Sequence, residues 1–317
     1  MPLSEQVGKE GTTMNRAAIS TLALSFGLLT ACASNELTTP SQENARARAQ
    51  LDEMMQETGS IGDDGAMGGD MTMRTMPVME KEPGEDIADV DYAAIISNEA
   101  RPADDVARDN VRKPSAVLEF AGVTPGMTVY EIEAGGGYFT EILSLAVGDT
   151  GTIYMQNPAA FDSYFGGSQP PRLSEGRLDN VEYVKTQFDD LKVEDASVDM
   201  VTWMQGPHEL WYTPDSAPDG LGEAKAAFAE IARVLKPGGM FIALDHTAPA
   251  GSPATTGGET HRIDPALVIG MAKSAGLEMV ASSDMFANPD DPMTVTVFDE
   301  SIRGKTDQFL LKFQKPE

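Results

Sequence analysis

Three histidines, a run of three glycines and a few acidic and amide side chains are the residues of this chain whose types and spacing could do chemistry. An imidazole titrates near neutrality, so His208 and His246 are each candidates for a general base acting on an acceptor hydroxyl or amine. His261 follows a Gly/Ser/Thr/Pro loop, Ala250 to Thr260, and has Asp264 three residues on. Histidine and aspartate together could ligate a metal. Asp264 before Pro265 reads equally as a helix cap, and loop hydrogen bonding accounts for the histidines, so no metal is expected. Gly135, Gly136 and Gly137 would let a ligand approach main chain, and a helix starting there would offer it unpaired amides.

These residues need elements to position them. Thr128 to Ile132 reads as a short buried strand, rich in β-branched and aromatic residues. After the glycines, Phe139, Ile142, Leu143 and Ala146 fall at helical spacing. Strand, glycine turn and helix in that order form the first unit of an open α/β nucleotide-binding sheet. Further strands are predicted at Thr152–Gln156, Val181–Thr186, Ser197–Met204, Met240–Leu244, Leu277–Ser282 and Gln308–Phe313. An amphipathic helix is predicted from Glu223 to Lys236, stopped by Pro237-Gly238-Gly239. His208 then follows the end of the fourth strand and Asp245-His246 ends the fifth, where such sheets place their ligands.

Composition narrows the partners. A formal net charge of −27 argues against nucleic acid, which needs Lys and Arg for its phosphates. The single cysteine, Cys32, allows no intrachain disulfide. Met14-Asn15-Arg16, the apolar run Ala17 to Leu29 and Leu29-Thr30-Ala31-Cys32 together resemble the signal and lipobox of bacterial lipoproteins. That resemblance implies an exported protein held on a membrane through lipidated Cys32, with Ser34 favouring the outer membrane. Residues 33–90 lack the apolar content to fold alone and read as an acidic tether. Its Met67, Met71, Met73, Met76 and Met79 could bind Cu(I), or simply belong to a flexible linker. Residues 91–317 form the globular domain.

Glu131, Gly135 and Gly137 resemble the first motif of class I S-adenosylmethionine-dependent methyltransferases, with Glu133 in place of the first glycine. Asp199 in the segment Ser197-Val198-Asp199, and the run from Ala227 through Arg233-Val234-Leu235-Lys236-Pro237-Gly238-Gly239 to Phe241, resemble later motifs of the same family. The resemblance implies an α/β fold: a Rossmann-like, doubly wound, seven-stranded, mostly parallel sheet with an antiparallel last strand. It implies S-adenosyl-L-methionine as cofactor and a small-molecule acceptor. Glu131, Gly135, Gly136 and Gly137 would contact the cofactor. Asn157 stands where the ribose-binding acidic residue is usual, and Gln187 where the adenine-binding one is, with Asp189 next to take that role or to cap a turn. The run from Arg101 to Pro114 resembles a lid over the cofactor mouth; a solvated helix with internal ion pairs is the alternative. Export away from the cytoplasmic cofactor keeps a second function open, a binding or scaffolding protein that has lost catalysis.

Overall fold

A computed structural model describes residues 90–165 and 170–317. The signal, Cys32, the tether and its methionines lie outside the described residues. Seven strands form one sheet in the order β3-β2-β1-β4-β5-β7-β6. They are β1 (Thr128–Ile132), β2 (Thr152–Asn157), β3 (Val181–Lys185), β4 (Val198–Met204), β5 (Leu235–His246), β6 (Glu278–Ser283) and β7 (Gln308–Gln314). β7 runs antiparallel to both neighbours, and the remaining pairings are parallel. The fold implied by the sequence therefore stands, with strand positions moved by a residue or two at most of the ends.

Side-chain alternation along each strand splits the core between two layers. Tyr130, Ile132, Val201, Trp203, Phe241 and Ala243 face one side, where α6 (Ala224–Val234) and α8 (Pro265–Ser274) pack. Val129, Met200, Ile242 and Leu244 face the other, with α4 (Pro114–Ala121) and α5 (Tyr138–Val147). Burying one side chain of the Leu or Phe class contributes about 1.5–3 kcal/mol, so both layers are needed to hold the strand ends in place.

Two predicted elements differ. Before the glycine unit, the helix expected over Tyr92–Asn98 is present as α1 (Tyr92–Ile96), but the one expected over Ala103–Arg112 is split into α2 (Ala103–Val106) and α3 (Asp109–Arg112). α6 ends at Val234 rather than Lys236, and β5 begins at Leu235 instead of Met240. The cause is Pro237, which biases Lys236 away from helix and removes a donor, so the chain becomes extended at once. A further helix, α7 (Thr256–Thr260), occupies a stretch that reads as loop.

Candidate functional site

The glycine bend is built from below. Glu133 takes φ +54° as the chain leaves β1. Its N–H donates to Gln156 Oε1 at 2.9 Å, and Ala134 N–H to Gln156 O at 2.9 Å. Gly135 at φ +55° and Gly137 at φ +84° hold backbone that an L side chain would strain. A Cβ on Gly135 or Gly136 would meet no heavy atom within 4 Å, so the space over these two residues is open. Gly137 is covered: a Cβ there would lie 2.8 Å from Arg172 Cδ, and Arg172 Nε donates to Gly136 O at 2.8 Å.

Two residues expected to touch the cofactor are tied to the bend and to the helix after it. Asn157 is fully buried; its Oδ1 accepts from Gly135 N at 2.8 Å and its Nδ2 donates to Gly135 O at 3.1 Å. Both ends of the amide are thus spent on the loop and not presented to a ribose. Glu131 is buried and accepts from Thr140 Oγ1 in the first turn of α5. Burial pushes its carboxyl up to about 8, against the Thr140 hydrogen bond and the Arg172 and Arg112 charges. Asp189 Oδ2 accepts from Glu223 N at 2.8 Å at the start of α6, and the residue lines a cavity of about 380 Å³ with Gln187, Trp211 and Gly220.

The segment before the glycine unit is clamped onto α5. Arg101 donates to both Asp109 oxygens at 2.8 and 2.7 Å, and Tyr138 Oη donates to Asp109 at 2.6 Å. Arg172 pairs with Asp105 at 2.7 Å and also with Glu141, which Arg177 meets at 2.6 Å. Arg101, Asp105 and Glu141 are buried and hold the inner side of the segment to the head of α5, while Asp104, Val106, Arg108 and Asn110 are exposed and Arg108 pairs with Asp105 within the segment.

A second charged cluster lies beyond β4 and β5. The turn Pro207–Trp211 brings His208 over the end of β5: its N–H donates to Asp245 Oδ2 at 2.7 Å and its Nδ1 lies 2.7 Å from Oδ1. α7 rests directly on this turn. A Cβ on Gly257 would lie 2.3 Å from His208 O, and one on Gly258 would lie 2.4 Å from Trp211 O. Only glycine permits that approach, and it delivers His261, at φ +55° just past α7, to His208. His261 Nδ1 is 3.1 Å from His208 Nε2, and Glu209 Oε1 is 3.3 Å from each. The rings of Tyr212 and Phe298 flank His261 at 4.8 and 4.9 Å.

Burial alone would lower the His208 imidazole, but the Asp245 charge and the hydrogen bonds to Asp245 and Glu209 outweigh it and hold it at about 10. Glu209 is brought down to about 2 by His208 and His261, which overcome its burial. Glu133, whose Oε2 accepts from Trp203 Nε1 at 2.9 Å, is raised well above the carboxylate range by burial and by the Glu209 charge. His246 behaves oppositely to His208. Burial lowers it to about 4, leaving a neutral ring whose Nδ1 is 2.7 Å from Thr306 Oγ1. It lines a cavity of about 430 Å³ with Phe139, Leu244, Phe298, Arg112 and Arg303.

Of the two predicted bases, then, His246 faces a cavity while His208 is 3% exposed with both ring nitrogens partnered. Asp264 is a cap: its Oδ1 accepts from Ala266 N at 2.9 Å and its Oδ2 from Gly251 N at 2.6 Å. Glu209 and Arg172 were not singled out from sequence. The adjacency of Glu209 to His208 was the available sign; Arg172 offered none.

Residues 131–243 match the model of the methyltransferase domain. The ubiquinone/menaquinone biosynthesis C-methyltransferase of Shewanella halifaxensis is 30% identical over 132 residues, which cover 42% of this chain and 47% of that protein. The Enterobacter sp. enzyme of the same name is 27% identical over 195 residues, 62% of this chain and 66% of its own. This chain thus spans about half the length of the first of these relatives. Among solved structures, a SAM-dependent methyltransferase from Aquifex aeolicus aligns with a TM-score of 0.48 at 21% identity, over 71% of this chain and 98% of its own. A methyltransferase domain of this kind implies S-adenosylmethionine as cofactor. At the bend, Gly135 and Gly136 leave the space beside their backbone free of side chains within 4 Å of a Cβ position.

Proposed function

We propose that the globular domain transfers a methyl group from S-adenosylmethionine to a small acceptor held beside His246. The observation that carries this reading is the pairing of an open glycine bend with a cavity whose wall includes Phe139, the second residue of α5, and a neutral histidine. S-adenosylmethionine, when bound, supplies an electrophilic methyl group. Gly135 and Gly136 would hold it at the bend, and Gln187 and Asp189, which line the cavity of about 380 Å³, would take its base. The protein's own work is positioning. Thr306 holds the His246 ring through Nδ1, which leaves Nε2 to take a proton from the acceptor. The apolar wall from Leu244, Phe139 and Phe298, with Arg112 and Arg303 nearby, favours an acceptor with an apolar body and an anionic group.

Calorimetric titration of the full chain with S-adenosylmethionine and S-adenosylhomocysteine tests this. Both are expected to bind. Gly136→Val, which fills the open space at a position without positive φ, is expected to abolish the heat while leaving the melting temperature unchanged. No heat and no thermal shift with the unaltered chain would overturn the reading.

A further inference from the structure

We infer that His208, Glu209 and His261 form a binding site for one divalent transition-metal ion of the zinc class. The three atoms His208 Nε2, His261 Nδ1 and Glu209 Oε1 define a nearly equilateral triangle with edges of 3.1, 3.3 and 3.3 Å. An ion bound tetrahedrally at about 2.0–2.1 Å places its ligands about 3.3–3.4 Å apart. The triangle is therefore already one face of such a tetrahedron. Two nitrogens and one carboxylate, with a fourth position left over, is a donor set that suits zinc and its neighbours and not magnesium or calcium.

Three further observations point the same way. Asp245 Oδ1 lies 2.7 Å from His208 Nδ1, and that side chain is wholly buried. A carboxylate on the far nitrogen fixes ring orientation and raises ligand basicity in histidine metal sites. Glu209 is 9% exposed, and its second oxygen, Oε2, is buried without a hydrogen-bond partner among the described residues. A buried carboxylate oxygen left unpaired is costly unless a cation meets it. Finally, two carboxylates, Glu209 and Asp245, lie against these imidazoles, and an ion at the triangle would meet Glu209 directly. His261 is the most exposed of the three ligands, so an ion would enter past it, between Tyr212 and Phe298. This departs from the expectation of no metal. The histidines were read with Asp264, whereas the carboxylate that meets them is Glu209.

The test uses the full chain, stripped with a chelator and titrated with Zn(II) against a chromophoric competitor, and separately with Co(II). One ion per chain is expected, with the intense visible absorption of four-coordinate cobalt. His261→Asn keeps the left-handed backbone but removes the imidazole; with Glu209→Gln, it is expected to abolish that absorption. Asp245→Asn should weaken zinc by about 10–100-fold. Circular dichroism of each variant confirms folding. Failure of the unaltered chain to take up either ion overturns the inference. So does uptake that is unchanged in both His261→Asn and Glu209→Gln, which would place the ion elsewhere. Neither result depends on whether S-adenosylmethionine binds.

Discussion

Two buried charged clusters sit at the same edge of the sheet, and they are built on opposite terms. Around the head of α5, Arg101, Arg172 and Arg177 meet Asp105, Asp109 and Glu141 in close pairs, with Tyr138 filling in. Every one of those carboxylates has a cation against it. Around His208, the carboxylates of Glu209 and Asp245 meet imidazoles and no guanidinium, and among the described residues Glu209 Oε2 has no hydrogen-bond partner. Burying charge is tolerable when it is paired and strongly unfavourable when it is not. The first cluster is therefore complete as it stands and fastens the amino-terminal helices down. The second is finished only by something it binds.

The contrast can be broken most sharply at Asp109. Asp109→Ala leaves the Arg101 guanidinium, 1% exposed, without its carboxylate. Removing one partner of a buried pair costs about 3–5 kcal/mol, and urea unfolding is expected to show a loss of that size. A loss below about 1 kcal/mol would mean that the first cluster is a surface feature after all.

Next comes Glu131, which lies beside the first cluster yet is held protonated. Its folded pKa, about 8, stands above the ordinary 4.5. The unfolded chain therefore releases this proton first as pH rises. Stability from this group is complete below about 4.5 and is lost as pH climbs through 8, a change on the order of a few kcal/mol. Glu131→Gln should flatten that slope in unfolding midpoints measured from about pH 4 to about pH 9. An identical slope in both proteins would show that Glu131 ionises normally.

The smallest expected effect sharpens the second cluster. Gly257→Ala pushes a methyl group against His208 O, 2.3 Å away. Overpacking of this kind costs about 1–3 kcal/mol, and it should move His261 away from His208. Zinc affinity is expected to fall with the stability. Retained affinity would show that α7 is not what sets the His261 position.

The fold was largely legible because its signals are local. β1, its glycines and α5 announce themselves by alternation, breaking residues and helical spacing within one stretch. The site was less so, because its decisive contacts are distant in sequence. Asn157 reads as a ribose ligand by position, but its amide turns inward to Gly135, 22 residues away. His208 and His261 are 53 residues apart, and only the bare backbone of Gly257 and Gly258 lets their elements touch. Nothing in the residues from Ala250 to Thr260 advertises that approach except the two glycines themselves.

The cavity beside His246 has walls of two kinds. Leu244 and His246 belong to β5, which pairs with β7 as far as His246 and with β4 as far as Leu244. Val297, Phe298 and Arg303 belong to the long connection between β6 and β7, which no strand pairing restrains. The ring proposed to accept the proton is thus mounted on the chassis, and much of the wall proposed to select the acceptor on a replaceable panel. Divergence, or an engineer, could retune what this chamber admits by rewriting the connection, and leave the chemistry where it is.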